Sequence, residues 1–195
     1  MSSVSRRTEA GAPAGGTPAA QVAGFIAKFD PPIARLLRAA RRTLRQRFPT
    51  AVELVYDNYN ALAIGWAGSE RASDVIVSVA GYARGVSLYF THGARLPDPT
   101  GRLEGQGKQG RFVRLTDTAT LAQPAVVALL EAATRAAKTP LPRTGRGHTV
   151  VKSISARQRP RGSAAPAPPA RPRAGATART APRGGATSRT RRPAT

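Results

Sequence analysis

The spacing of apolar residues along the chain switches from helical to strand-like and back, and each switch predicts an element. Val22, Phe25, Ile26 and Phe29 fall at i, i+3, i+4 and i+7, the stripe of one short helix. Asp30 followed by Pro31 is an N-cap residue with proline at the first helical position, so a second helix is expected from there to about Arg47. Its apolar side is Ile33, Leu36, Leu37, Ala40 and Leu44. From Val52 the period becomes two, with Val52, Leu54 and Tyr56 on one side of a strand and Glu53, Val55 and Asp57 on the other. Leu62, Ile64 and Trp66, then Val75, Val77 and Val79, then Val86, Leu88 and Phe90 predict three further strands, and residues 112–115 a fifth. Pro124 opens a closing helix whose stripe is Val126, Leu129, Leu130 and Ala133.

Short links between successive strands favour antiparallel neighbours, because parallel ones need crossovers of about a dozen residues or more. The expected fold is therefore α+β: an antiparallel β-meander of five to six strands packed by N-terminal and C-terminal helices. The sixth strand would hold Val150, Lys152 and Ile154. The domain is expected at residues 21–155. Residues 1–20 are small, polar and rich in Gly and Pro, and residues 156–195 are almost entirely Ala, Pro, Arg, Gly, Thr and Ser. Neither segment has the apolar bulk to offset the entropy of ordering a backbone, so both are expected to be disordered.

Charge adds a class of partner to this outline. The chain carries 31 Lys plus Arg against 10 Asp plus Glu, a net +21, which favours polyanions such as nucleic acid or an anionic membrane surface. The second helix is expected to turn Arg35, Arg38, Arg41, Arg42 and Arg45 toward solvent, opposite its apolar stripe. Residues 153–195 hold ten arginines and no acid. Such an arm can neutralise several phosphates, giving sequence-independent affinity that falls with salt; drift in GC-rich coding leaves the same composition. There is no cysteine, which excludes disulfides, thiolate metal sites and cysteine nucleophiles. No apolar run approaches the ~18 residues of a membrane span. Arg6-Arg7 is not followed by an apolar segment, so no secretory or twin-arginine signal fits and a cytoplasmic location is expected.

Candidate chemistry is sparse. Residues 105–110 match G-x-G-x-x-G, but the glycines lead into a strand rather than from a strand into a helix, which removes the dinucleotide reading. Lys108 precedes Gln109 rather than Ser or Thr, so a Walker A loop is also excluded. The segment reads as a long hairpin loop, in which Lys108, Arg111 and Arg114 make a small anion-binding patch. These three and the five helix arginines are the candidate nucleic-acid contacts. His92 and His148 stand alone, outside any metal-ligand spacing, and no catalytic residue can be assigned, so a non-enzymatic role is expected. Glu53 and Asp57 share a strand face, where they either bind a cation or form a solvated outer face salt-bridged to arginines. Tyr56, Tyr59, Trp66, Tyr82, Tyr89 and Phe90 fall on strands or their ends, as core packing or as a platform for unpaired bases.

Three segments, YDNYNAL at 56–62, LPDPTGRLEGQGK at 96–108 and RFVRL at 111–115, resemble the YdhG-like domain family, and TVVKSISARQRPR at 149–161 extends the likeness. The function of that family is unknown, and its fold is frataxin-like. The resemblance covers roughly residues 21–137 and implies helices packed on an antiparallel sheet, as the periodicity does. It also implies iron as a cargo, since frataxin-fold proteins include iron chaperones that bind metal through an acidic helix ridge, a role linked also to the YdhG-like family. Glu53, Asp57, Asp98 and Glu104 are the candidate acidic ligands here. The chain departs from that pattern, because its early helix carries five arginines where the acidic ridge would stand, and they repel Fe²⁺. Two functional expectations result. One is a non-catalytic binding or chaperone-like module whose polycationic tail holds nucleic acid nonspecifically, without a resident cofactor; the other is an intracellular iron chaperone.

Overall fold

The computed structural model describes residues 16–162. The expected N-terminal lead up to residue 15 and the greater part of the basic tail, from residue 163, lie outside the described residues. Helix α1 spans Pro18–Ala27 and α2 spans Pro31–Arg47, each with proline at its start. Thr17 caps α1 by accepting a hydrogen bond from the Ala20 amide at 3.3 Å. Strands β1 (Val52–Asp57), β2 (Leu62–Ala67), β3 (Val75–Tyr82), β4 (Gly85–Phe90) and β5 (Arg111–Leu115) follow. Then come α3 (Pro124–Arg135) and β6 (Thr149–Ile154).

The six strands form one sheet in the order β5-β4-β3-β2-β1-β6. The first five make the expected antiparallel meander. β6 departs from it by running parallel to β1, with Glu53 opposite Thr149 and Val55 opposite Val151. The chain from β5 to β6 passes through α3, and this long crossover returns it to the free edge of β1 in the parallel sense. A register shift beyond Val55 brings Tyr56 opposite Ser153. The fold is α+β with a mixed sheet, and α3 is an internal helix rather than the end of the domain.

Strand register determines what the helices cover. Glu53, Val55 and Asp57 stand opposite Trp66, Ile64 and Leu62, and these in turn opposite Val77, Val79 and Gly81. The apolar members of this face share one buried cluster with Val22, Ile26 and Phe29 of α1 and its C-terminal turn, Leu37 and Leu44 of α2, and Val126 and Leu130 of α3. At Gly81 an added Cβ would lie 2.8 Å from Leu37 Cδ1, so α2 seats where the strand has no side chain. Val52, Leu54 and Ala67, on the other face, belong to a smaller cluster bordered by Tyr56, Val75 and Val150.

Two expectations change here. Glu53 and Asp57 are not on a solvated face: they lie on the helix-covered side and are 2% and 0% exposed. Period two says which residues share a side, not which side is covered. The order also continues past Ser155. The Arg159 amide donates to the Tyr59 carbonyl at 2.7 Å, and Arg161 is buried.

Candidate functional site

The arginines of α2 divide according to their angular distance from the apolar stripe. At 100° per residue Arg41 stands about 40° from Leu37 and Arg45 about 80°, with Arg38, Arg42 and Arg35 farther round at about 100°, 140° and 160°. The two nearest bend down to the sheet and meet Glu53. Arg41 donates through Nε to Oε1 and through Nη2 to Oε2, the latter at 3.0 Å, while Arg45 Nη1 donates to Oε2 at 2.9 Å. Thr149 Oγ1 adds a bond to Oε2 at 2.9 Å. The Arg41 side chain is only 16% exposed. Of the five arginines expected on the solvent face, Arg41 is corrected to a half-buried position; Arg45 is exposed but paired, and Arg35, Arg38 and Arg42 are exposed and make no ion pair among the described residues.

Beside this node is a cavity of about 640 Å³. Ala23 and Ile26 of α1, Arg38, Arg41, Arg42 and Arg45 of α2, Phe48, Glu53 and Trp66 line it, and Arg146, Gly147 and His148 close it ahead of β6. The closing segment is fixed in place. The Gly147 amide donates to the Pro49 carbonyl at 2.8 Å, and the Glu53 amide to the His148 carbonyl at 2.8 Å. A Cβ at Gly147 would stand 2.1 Å from the Ala51 carbonyl oxygen, so only glycine passes there. His148, read as isolated, has Glu70 as partner, its Nε2 lying 3.2 Å from Oε1. Trp66 is 1% exposed, and its indole N–H has no hydrogen-bond partner among the described residues. Arg146, Trp66 and His148 are site residues that linear spacing does not connect.

The remaining candidates are largely engaged elsewhere. Arg111 Nη1 donates to the Gly110 carbonyl at 2.8 Å and also to that of Gly107, and Arg114 Nε donates to Glu104 Oε2 at 2.9 Å. Of the expected anion patch on this loop, only Lys108 is left without an ion pair or side-chain hydrogen bond among the described residues. The loop is the expected hairpin, closed by backbone bonds of 2.8 and 3.0 Å between Glu104 and Phe112. Asp57 accepts from Lys28 Nζ at 2.7 Å, from Gln158 Nε2 at 2.6 Å and from Arg161. Burial raises its carboxyl pKa, but these bonds and the Arg161 charge outweigh burial and hold it below the ordinary carboxylate value. Asp98 is likewise raised by burial and lowered further by the amides of Leu103 and Arg102, at 2.7 and 2.9 Å, and by Thr100 and the Arg102 charge.

Glu53, Asp57, Asp98 and Glu104 are therefore not assembled into a metal site. Each is bonded to its own cations or amides, and among the described residues no group of three or more His, Asp or Glu is placed to hold a metal ion. Trp66 and Phe90 are core. Tyr82 and Tyr89 are exposed and, with Arg84, Phe112 and Arg114, border a groove of about 820 Å³. No helix among the described residues is long and apolar enough to cross a membrane.

No family model, curated protein or solved structure matches the chain.

Proposed function

We propose that this chain is a non-catalytic binding module that holds nucleic acid through its phosphates, without sequence preference. One observation carries the reading: the acids are used up within the fold and the cations are not. Glu53, Asp57, Asp74, Glu104 and Glu131 are each paired with arginine or lysine. Arg35, Arg38, Arg42, Arg146 and Lys152 have no ion pair among the described residues, and the arginine-rich residues that follow contain no acid at all. A surface of this kind releases counterions when it neutralises phosphates. The exposed aromatics Tyr82 and Tyr89 beside Arg84 and Arg114 add a place where unpaired bases stack. The proposed family, YdhG-like, rests on the motifs at 56–62, 96–108 and 111–115.

The test is fluorescence anisotropy of labelled duplex DNA against the full chain and a chain ending at Gly162, each across a salt series. The full chain is expected to bind at submicromolar concentration in low salt and to lose affinity steeply as salt rises. The shorter chain keeps a smaller slope, which Arg38→Gln with Arg42→Gln reduces by about one to two. Affinity indifferent to salt overturns the reading.

A further inference from the structure

The cavity between α1 and α2 has two chemically different ends. Toward the helix surface it is cationic, with five guanidinium groups, those of Arg38, Arg41, Arg42, Arg45 and Arg146, against the single carboxylate of Glu53. Glu53 answers Arg41 and Arg45, which leaves Arg38, Arg42 and Arg146 without an ion pair. Its remaining wall is apolar, lined by Ala23, Ile26, Phe48, Pro49 and Trp66. A volume of about 640 Å³ is the size of a small-molecule site.

We propose that this cavity binds a phosphate monoester with a flat, largely apolar body. The anion sits among Arg38, Arg42 and Arg146, and the body lies against the Ala23, Phe48 and Pro49 side of the lining. A dianionic phosphate answers three uncompensated guanidiniums better than a single carboxylate does, and it accepts their forked donors in pairs. The walls are already in place, since Glu53 holds Arg41 and Arg45 and the Gly147 amide is tied to Pro49. The ordering cost that remains on binding is that of the Arg38, Arg42 and Arg146 side chains. A duplex backbone offers phosphodiesters without such a body, so this site is additional to the nucleic-acid reading and does not rest on it.

Trp66 is the only tryptophan in the sequence, so its emission, excited at the red edge of tyrosine absorption, reports occupancy directly. The full chain is titrated with uridine 5′-monophosphate, and separately with uridine and with inorganic phosphate. The expected result is a saturable change with the monophosphate at a concentration at least tenfold below that needed for either half alone. Arg38→Gln with Arg42→Gln weakens it tenfold or more while the thermal midpoint stays put, and Arg146→Gln weakens it separately. No saturable change with the monophosphate overturns the proposal, as does an equal response to inorganic phosphate, which would mark general anion attraction.

Discussion

Asp57 and Arg161, 104 residues apart in sequence, form an ion pair in which both side chains are closed to solvent, at 0% and 1% exposure. Arg161 also donates to the carbonyls of Asn58 and Ala61, and its guanidinium lies 5.1 Å from the centre of the Phe29 ring. One arginine thus ties the residues after β6 to the β1–β2 turn and to the end of α1. Removing one member of a buried pair leaves the other uncompensated, at about 3–5 kcal/mol. Arg161→Met is expected to lower the thermal midpoint by about 10 °C. Asp57→Asn with Arg161→Met should recover part of that loss, because neither charge is then stranded. Thermal unfolding of the two single variants and the double variant checks both statements.

The same contact places the end of the folding unit. A chain ending at Ser155 loses Gln158 and Arg161 together, leaving Asp57 with Lys28 alone among its side-chain donors. A chain ending at Gly162 keeps all three. The expected outcome is a midpoint at least as low as that of Arg161→Met for the first and one close to the full chain for the second. Equal midpoints would show that the buried pair contributes nothing to stability.

Acid should reach the fold through this carboxylate. The folded pKa of Asp57 lies below the ordinary value, which in an unfolded chain is about 3.9. Its contribution to stability is therefore fully present above about pH 4 and is lost as pH falls through the lower, folded value. Asp98 is shifted in the same direction and adds to the effect in the same window. Urea midpoints measured from pH 6 to pH 2.5 should fall below about pH 4. The fall should be shallower in Asp57→Asn, which starts from a lower midpoint and has one fewer carboxylate to protonate.

Much of this architecture is visible in apolar period alone, and what is missing has identifiable causes. The stripes of α1, α2 and α3 and the alternation of the meander strands are local patterns, and each element forms where they place it. The direction of β6 depends on the path through α3, which nothing near Val150 encodes. Arg161 sits in a stretch without bulky apolar residues, so composition reads it as solvated; its burial depends on the distant Asp57 carboxylate, the Asn58 and Ala61 carbonyls and the Phe29 ring. Arg41 is different, because its angle from Leu37 can be worked out from helix geometry and already places it at the margin of the stripe. Arg146 and His148 join the cavity through Gly147, whose role depends on the Ala51 carbonyl beside it.

Glu53 is the counter-charge of the cavity, and neutralising it separates stability from binding. Glu53→Gln keeps acceptor and donor atoms near Arg41, Arg45 and Thr149 but leaves Arg41 nearly enclosed and unpaired. The cost expected is about 3 kcal/mol, at the low end for a buried pair because Arg45 is 41% exposed. The cavity gains one net positive charge at the same time. Duplex DNA should therefore bind more tightly at low salt although the protein is less stable, and anisotropy together with urea unfolding reads both changes in one preparation.

Two glycines of the sheet distinguish close packing from mere composition. At Gly81 a methyl group would meet Leu37 Cδ1 at 2.8 Å, Leu37 Cδ2 at 3.0 Å and Phe29 Cζ at 3.2 Å, the contacts that seat the helices on β3. Gly85, at the start of β4, has nothing within 4 Å of the same position. Gly81→Ala is expected to cost about 1–3 kcal/mol by overpacking, because two side chains of a close-packed cluster must shift together. Gly85→Ala should stay within about 0.5 kcal/mol of the parent chain, having open space to fill. Urea midpoints of the two variants test the seating of the helices directly. Equal losses would mean that α2 does not rest on β3 at Gly81.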